Sequence, residues 1–233
     1  MTRGVLFDFY GTLARAVSWG DTHEQVFSRH GIQYDEAAWT DRWVGGALDG
    51  EEHAEHSRSP EHYRAWELDR LRQRSRSAGV GEDDLEALVA DLYAVSKDYM
   101  LAAYNEVPDV LGELRRRGVK VAVCSNWDWH IDRAVTAAGL SGLADVVVTS
   151  AQAGARKPHP RIFHHTLDRC GLAPAEVLFV GDTWGPDVAG PLALGMRAAH
   201  LRRPDHRHEG DGLPALPEGA SRIADLRAVL DLV

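Results

Sequence analysis

The sequence predicts an α/β fold: a three-layer core around a parallel sheet, with an inserted all-helical domain. Three observations predict it. A short apolar strand opens the chain and ends at a single carboxylate, Asp8. The next ninety or so residues carry helical patterns and no strong strand signal. After residue 105, apolar strands alternate with amphipathic helices, which is typical of a parallel sheet covered by helices on both faces.

The first strand brings Asp8 to the edge of the predicted sheet. Val5, Leu6 and Phe7 form an apolar run before it, and a turn containing Gly11 follows. In open α/β sheets, ligands bind just beyond the carboxyl ends of the strands. Asp8 is therefore expected to face a crevice, although this stretch alone also fits an ordinary aspartate that caps a helix.

The segment 14–104 is predicted to be an inserted helical cap domain. Pro60 suits the first turn of a helix, and the acids at positions 82–84 suit the positive end of another. The predicted helices span 19–30, 35–48, 60–75 and 82–103. The histidine-rich and acid-rich residues 49–56 could bind a metal, but a solvated helix face is the favoured interpretation.

Residues 1–13 and 105–233 are predicted to form the core domain, with a Rossmann-like sheet. A helix around Val110 ends at three arginines and Gly118, which is a typical stop signal. Strands are predicted at 119–125, 145–149, 177–181 and 198–201. Helices are predicted at 131–138, 161–170, 187–194 and 223–232. Residues 202–220, with three prolines and three glycines, are predicted to be an exposed loop.

The bulk properties are those of an ordinary globular protein. The 233 residues are 44% hydrophobic and carry a net charge of −9, which argues against a nucleic-acid surface. No apolar run is long enough to span a membrane. The immediate start of a strand leaves no room for a secretory signal, and Cys124 and Cys170 form no disulfide framework. We expect a cytoplasmic monomer or homodimer that acts on a small, anionic molecule.

Three further strand ends carry polar side chains. Ser125 and Asn126 follow the second core strand, and their hydroxyl and amide can bind an oxyanion. Lys157 follows a glycine-containing loop, and Asp182 and Asp187 follow a buried strand at a spacing that suits Mg²⁺. Each also has an ordinary interpretation: a turn, a solvated surface lysine, and a pair of capping acids.

Four features occur in a fixed order in one α/β pattern: an aspartate, a serine, a lysine and a strand end with two acids. This order resembles the haloacid dehalogenase (HAD) superfamily of aspartate-nucleophile hydrolases. The resemblance covers the whole chain. Residues 1–13 and 105–233 are similar to the core of that superfamily, and residues 14–104 to the helical cap that some members insert after the first strand.

The resemblance implies roles for individual residues. It implies that Asp8 is the nucleophile, that Ser125 binds the oxyanion, and that Lys157 steadies the nucleophile and the substrate anion. Tyr10 stands at the position of a further catalytic residue. It implies that backbone amides in the turn at Gly11 and Thr12 help to bind the oxyanion. Asn126, Trp127 and Arg156 are further predicted substrate contacts. In metal-using members, the Mg²⁺ ligands match Asp8, the backbone carbonyl of Tyr10, and Asp182, with Asp187 nearby.

Two parts of the pattern indicate different chemistry. Most HAD phosphatases have a second aspartate where this chain has Tyr10, and the stretch from Asp8 to Leu13 is similar to the L-2-haloacid dehalogenases. Halide leaves without a proton, so a dehalogenase can dispense with that acid. Asp182 and Asp187 instead match the metal-binding acids of HAD phosphatases. An Mg²⁺-dependent phosphatase of small phosphorylated metabolites is favoured; a metal-independent 2-haloacid dehalogenase, or another or lost activity, is the alternative.

A phosphatase of this type needs a proton donor in place of the missing acid. Tyr10, Asp128 or His130 could supply it, since all three are near the predicted site. The neighbouring Trp127 and Trp129 could equally pack against the cap. Arg42 lies in the region where the dehalogenases have their halide-binding arginine, but its neighbours do not match that pattern. The tryptophans at positions 19, 39, 43 and 66 could form an apolar wall for the substrate, although aromatics at helical spacing are more often core residues of a cap.

Overall fold

A computed structural model describes residues 1–36, 39, 47–204 and 215–233. Its strands form one six-stranded parallel sheet in the order β5-β4-β1-β6-β7-β8 and a separate two-stranded pair, β2-β3. The strands are β1 (Gly4–Phe7), β2 (Ala14–Trp19), β3 (Tyr99–Ala103), β4 (Lys120–Ser125), β5 (Val146–Thr149), β6 (Val177–Gly181), β7 (Arg197–Leu201) and β8 (Ala220–Ile223). The predicted α/β class, with a parallel sheet and a helical insert, is confirmed.

Helices cover both faces of the parallel sheet and build the insert. The α-helices are α1 (His23–Arg29), α2 (Pro60–Ser77), α3 (Glu82–Val95), α4 (Val107–Arg116), α5 (Ile131–Ala137), α6 (Ser150–Ala153), α7 (Pro160–Cys170) and α8 (Gly190–Ala193). A π-helical turn, Gly185–Ala189, precedes α8, and short 3₁₀ helices span Pro174–Glu176 and Leu226–Asp231. Within the described ranges, no helix combines the length and apolar character that crossing a bilayer needs.

The central strand β1 is buried on both faces, which explains its uninterrupted apolar sequence. Val5 and Phe7 pack into the hydrophobic core on one face of the parallel sheet, and Leu6 packs into the core on its opposite face. Phe7 is in register with Val123 of β4 and Val180 of β6. Because these three strands are parallel, the polar residues that follow them emerge at the same edge of the sheet.

The insert is not all-helical, and this part of the prediction is wrong. β2 and β3 pair antiparallel, with a register shift between Ala16 and Ser18. The helix predicted over 82–103 ends at Val95, and the helix predicted over 19–30 begins only at His23. Leucine, methionine and alanine favour helix locally, so β3 exists because pairing with β2 overrides local propensity.

The C-terminal helix predicted over 223–232 is also wrong. The chain forms the edge strand β8 and then a 3₁₀ helix at Leu226–Asp231. Only Ile223 of β8 is buried, so the strand has no apolar run that sequence patterning could detect. The helix predicted over 187–194 is divided into the π-helical turn and the four-residue α8.

The insert has a hydrophobic core of its own, which includes Phe27, Trp39, Leu71 and Leu88. Trp39 is 3% exposed and packs against Phe27, so it is a core residue of the insert rather than a substrate wall. Most of the predicted helix 35–48, including Arg42 and Trp43, lies outside the described residues. The division of the chain at residues 14 and 104 stays a prediction.

Candidate active site

Asp8 is the first residue after β1, and its carboxylate is held by two donors. Its Oδ1 accepts a hydrogen bond from Ser125 Oγ at 3.0 Å and one from Lys157 Nζ at 2.7 Å. Ser125 ends β4, the strand beside β1. The side chain of Asp8 is 11% exposed, so a small opening to solvent remains at this carboxylate.

Lys157 is the cation of this site, and it is only 1% exposed. Its Nζ donates to Asp187 Oδ1 at 2.6 Å as well as to Asp8. Burial alone would lower the pKa of Lys157, but Asp187 and Asp8 outweigh burial and raise it, so the ammonium persists. The ordinary interpretation of Lys157 as a solvated surface lysine is wrong.

Asp182 and Asp187 flank the start of the π-helical turn that follows β6. Thr183 N donates to Asp187 Oδ2 at 3.0 Å, and Thr12 Oγ1 lies 3.5 Å from Asp182 Oδ1. One carboxylate oxygen from each of Asp8, Asp182 and Asp187 lies within 4.8 Å of the others. Backbone that follows two strands far apart in sequence thus brings three acids together.

Two glycines allow these carboxylates to come so close to the backbone. A Cβ at Gly11 would lie 2.3 Å from Asp182 Oδ2, and Gly11 has a φ of +85°. A Cβ at Gly181 would lie 2.4 Å from Asp187 Cγ. The conformation at Gly11 is one that residues with side chains rarely adopt, so a glycine suits this turn for two independent reasons.

Among the described residues, the three carboxylates of the site outnumber its one ammonium, that of Lys157. Burial, together with the neighbouring carboxylates, raises the pKa of Asp182. Burial also raises the pKa of Asp187 despite the hydrogen bond from Lys157, and Asp8 adds to this effect. The oxygens of the three clustered carboxylates form a set of ligands that fits a hard divalent cation such as Mg²⁺.

Asn126, predicted to contact the substrate, binds the backbone of the lysine loop. Its Oδ1 accepts from Lys157 N at 2.7 Å, and its Nδ2 donates to Lys157 O at 3.1 Å. Arg156, also predicted to contact the substrate, is 9% exposed and pairs with Asp49 of the insert at 3.0 Å. Both residues adjoin the site and bind protein groups there.

The aromatic residues near the nucleophile form a cluster between the core and the insert. Tyr10 lies 5.7 Å from Trp19 and 6.5 Å from Trp127, measured between ring centroids. Trp127 is 6% exposed and packs edge-on against Phe9 of the core and Tyr99 of β3. Trp127 therefore packs between the core and the insert, which is one of its two predicted roles. Tyr10 is only half-buried.

Asp128, a candidate proton donor, is bound on the insert side of the site. Its Oδ2 lies 2.9 Å from Lys97 Nζ, and its Oδ1 accepts from His130 N at 2.9 Å. Trp129 lies 6.3 Å from Tyr63 of α2. These contacts show Asp128 in an ion pair between core and insert; a role in proton transfer stays a hypothesis.

Sequence reasoning missed how the insert meets this site. Residues 49–56 do not form the expected solvated helix; Glu52 forms a β-bridge with Ala155, two residues before Lys157. His53 is 2% exposed, and burial lowers its pKa to about 4. The only available signal was the dipeptide Asp49-Gly50, which is typical of a turn; Gly50 has a φ of +79°.

A buried aspartate, serine and lysine lie together with two acids that follow β6, which is the arrangement predicted for a hydrolase of the aspartate-nucleophile class. The family model for haloacid dehalogenase-like hydrolases matches residues 2–195, and the chain belongs to this family. The predicted resemblance to the HAD superfamily is therefore confirmed.

Individual relatives divide between two chemistries. A bovine haloacid dehalogenase-like hydrolase domain-containing protein 3 is 34% identical over 145 residues, 60% of this chain and 57% of that protein. The chain thus spans little more than half the length of that relative. A phosphoserine phosphatase from Thermus thermophilus is 31% identical over 68% of this chain and 61% of its own. An (S)-2-haloacid dehalogenase from Pseudomonas sp. strain YL is 29% identical over 99% of this chain and 94% of its own.

Solved structures show the same division. A HAD phosphatase from Thermococcus onnurineus covers 100% of this chain and 97% of its own with a TM-score of 0.61, and at 21% identity it supports the fold alone. An L-2-haloacid dehalogenase covers 99% and 98% with a TM-score of 0.58 and 27% identity. The chain is a HAD-like hydrolase.

Proposed function

We propose that this protein is an Mg²⁺-dependent phosphatase that acts on a small phosphorylated metabolite. The observation that supports this proposal is the cluster of Asp8, Asp182 and Asp187, with oxygens within 4.8 Å of one another. Without a metal, the negative charges of Asp182 and Asp187 would repel an anionic substrate at Asp8. A divalent cation removes this conflict, and a phosphoserine phosphatase among the relatives supports phosphatase chemistry.

In this proposal, Asp8 attacks phosphorus with a carboxylate oxygen and the ester oxygen leaves. Water then hydrolyses the aspartyl phosphate, which divides one difficult displacement into two easier ones. Lys157 donates a hydrogen bond to Asp8 at 2.7 Å and offers positive charge to the substrate. Ser125 fixes the orientation of the carboxylate through the 3.0 Å hydrogen bond.

Charge neutralisation is the main requirement of this reaction. Two unit charges of the same sign 4 Å apart repel by about 4 kcal/mol at an effective dielectric constant of 20. Bound Mg²⁺ would act as a Lewis acid that offsets the charge of the phosphoryl oxygens and of the carboxylates. Asp8 and Asp182 would hold it together with the Tyr10 carbonyl, and Asp187 would lie nearby.

A metal-independent 2-haloacid dehalogenase is the second candidate. It is favoured by Tyr10, which stands where an HAD phosphatase has its second acid, and by the relative of that activity that aligns over 99% of this chain. In that reaction Asp8 would displace halide from carbon, and no proton donor would be needed for the leaving group.

One pair of assays separates the two candidates. Phosphate release from p-nitrophenyl phosphate and chloride release from 2-chloropropionate are measured with Mg²⁺ and with EDTA. We expect phosphate release that EDTA abolishes. Chloride release that persists in EDTA would instead establish the dehalogenase. Asp8→Asn removes the nucleophile and is expected to abolish either activity.

A further inference from the structure

A short segment of the insert is paired with the loop that carries Lys157. We call residues 49–53 the strap. Three backbone hydrogen bonds join the strap to residues 154–157: Gly50 N to Lys157 O at 3.2 Å, Arg156 N to Glu51 O at 3.0 Å, and His53 N to Gly154 O at 2.8 Å. The two backbones approach so closely that a Cβ at Gly154 would lie 2.7 Å from Ala54 Cα.

One carboxylate oxygen of Asp49, at the start of the strap, accepts three hydrogen bonds from side chains of the core. Its Oδ1 accepts from Arg156 Nη2 at 3.0 Å and Nε at 3.2 Å. The same oxygen accepts from Asn126 Nδ2 at 3.2 Å. The side chain of Arg156 is 10% exposed and that of Asp49 is 52% exposed, so a carboxylate at the surface reaches into a buried set of donors.

Asn126 connects Asp49 to the catalytic lysine. Its amide forms hydrogen bonds with both the N–H and the carbonyl of Lys157, as a neighbouring strand would do. The side chain of Lys157 extends from this backbone, and its Nζ donates hydrogen bonds to Asp8 and Asp187. A chain of polar contacts therefore runs from the surface carboxylate of Asp49, through Asn126, to the nucleophile.

We propose that Asp49 is a positioning residue that orients Asn126 and Arg156 and thereby fixes the backbone of Lys157. The ammonium of Lys157 then holds Asp8 in its reactive orientation only while the strap is hydrogen-bonded to residues 154–157. This inference rests on the proposed function in that it takes Lys157 to act in catalysis. A misplacement of about 1 Å at a reacting group can lower a rate about a hundredfold, so a contact outside the reacting atoms can matter.

The strap offers a matched control for Asp49. Glu52 lies in the same strap, and its side chain is 53% exposed. Its carboxylate lies 3.5 Å from Arg161 and 3.8 Å from His159, and the contacts of Glu52 do not include Asn126. The test compares Asp49→Ala, Asp49→Asn and Glu52→Ala. Asparagine keeps an acceptor oxygen without the charge, so it serves as the conservative variant.

Two measurements are made on the full chain in the presence of Mg²⁺. The first is kcat and KM for p-nitrophenyl phosphate. The second is hydrogen exchange of the backbone amides of Arg156 and Lys157, which does not depend on turnover. For Asp49→Ala we expect kcat to fall about tenfold or more, KM to change less than about threefold, and both amides to exchange faster. Asp49→Asn should recover part of kcat, and Glu52→Ala should match the wild type.

The outcomes against the proposal are distinct. Unchanged exchange at both amides in Asp49→Ala would overturn it, whatever happens to the rate. A lower KM without loss of kcat would also overturn it, because Asp49 would then compete with an anionic part of the substrate for Arg156. If the wild type releases no phosphate, the proposed function fails, and the exchange measurement still decides the role of the strap.

Discussion

At the scale of single residues, the site depends on close approach between charged side chains and backbone. Lys157 contacts two carboxylates at 2.6 and 2.7 Å, and a third, that of Asp182, lies beside them. The sequence identifies these residues by their positions at strand ends. It does not show that Lys157 is almost completely buried, because a lysine before a proline is usually a surface residue.

Gly11→Ala should damage the site more than backbone strain alone explains. The φ of +85° costs a residue with a side chain about 1–2 kcal/mol, and the new Cβ would also collide with Asp182 Oδ2 at 2.3 Å. We expect a fall in phosphate release of about a hundredfold or more. Gly142→Ala is the control, since Gly142 has a φ of +76° with nothing within 4 Å of the new atom.

The two variants separate strain from collision. Urea unfolding gives the loss of stability of each, and kcat gives the loss of function. Gly142→Ala should lose stability and keep its activity. If Gly11→Ala retained wild-type activity, the close packing of Asp182 against this turn would have no catalytic importance.

At the scale of elements, the antiparallel pair β2-β3 is the main feature that local sequence did not indicate. Leu101, at the middle of β3, is 3% exposed and belongs to the core of the parallel sheet, whereas the adjacent Met100 is 59% exposed. β3 therefore packs one side chain into the main core and leaves its neighbour in solvent. The insert is anchored to the core through this strand.

Leu101→Ala should lower the free energy of unfolding by about 2–5 kcal/mol, because it leaves a cavity in the core. Met100→Ala should change it by no more than about 0.5 kcal/mol, because that side chain is exposed. Urea denaturation of both variants measures the difference. Equal effects at the two positions would contradict the alternating burial of β3.

The strap is a second case in which tertiary contacts determine an element. Residues 49–53 have no apolar alternation and no partner nearby in sequence. Their partner, residues 154–157, lies about a hundred positions away, and the pairing depends on the backbone of the lysine loop. Such pairing cannot be read from local propensity, because β propensity reflects the neighbours that a strand finds.

At the scale of the whole molecule, the surplus of buried acid in the site should make stability depend on pH and on Mg²⁺. Burial and the neighbouring carboxylates raise the pKa of Asp182 and Asp187 above the ordinary value of 3.8. As pH rises from about 4 into the neutral range, the unfolded chain has already lost these protons while the folded protein still holds them. Their contribution to stability is therefore greatest at low pH and is lost as pH rises.

We expect the melting temperature in EDTA to fall between pH 5 and pH 8 by more in the wild type than in Asp182→Asn. Each unit by which folding raises a pKa corresponds to about 1.4 kcal/mol. His53, whose pKa burial lowers to about 4, gives the opposite slope below pH 6.5, and the comparison of the two proteins removes its contribution. Thermal melts at four pH values provide the measurement.

Mg²⁺ should reduce the slope, because it binds the ionised carboxylates of the folded state and stabilises that state more as its concentration exceeds the dissociation constant. The gain in melting temperature with 10 mM Mg²⁺, a concentration chosen for the experiment, should be larger at pH 8 than at pH 5. A slope that is the same in wild type and Asp182→Asn would contradict the raised pKa of these acids. No gain from Mg²⁺ at any pH would contradict the proposed metal site.

The sequence by itself determined the class of the fold, five of the six strands of the parallel sheet and the order of the polar residues that follow them. It could do so because strands buried on both faces need continuous apolar runs, and such runs are visible locally. The family followed from that order, and the match over residues 2–195 agrees with it.

Only the tertiary structure decided what depends on distant partners. β2, β3 and β8 have only one buried residue each, so they are stable as strands only beside their neighbours. The burial of Lys157, the 4.8 Å cluster of acids and the seating of the strap arise where parallel strands and the insert converge. Distances between residues a hundred positions apart are properties of packing, and no local pattern contains them.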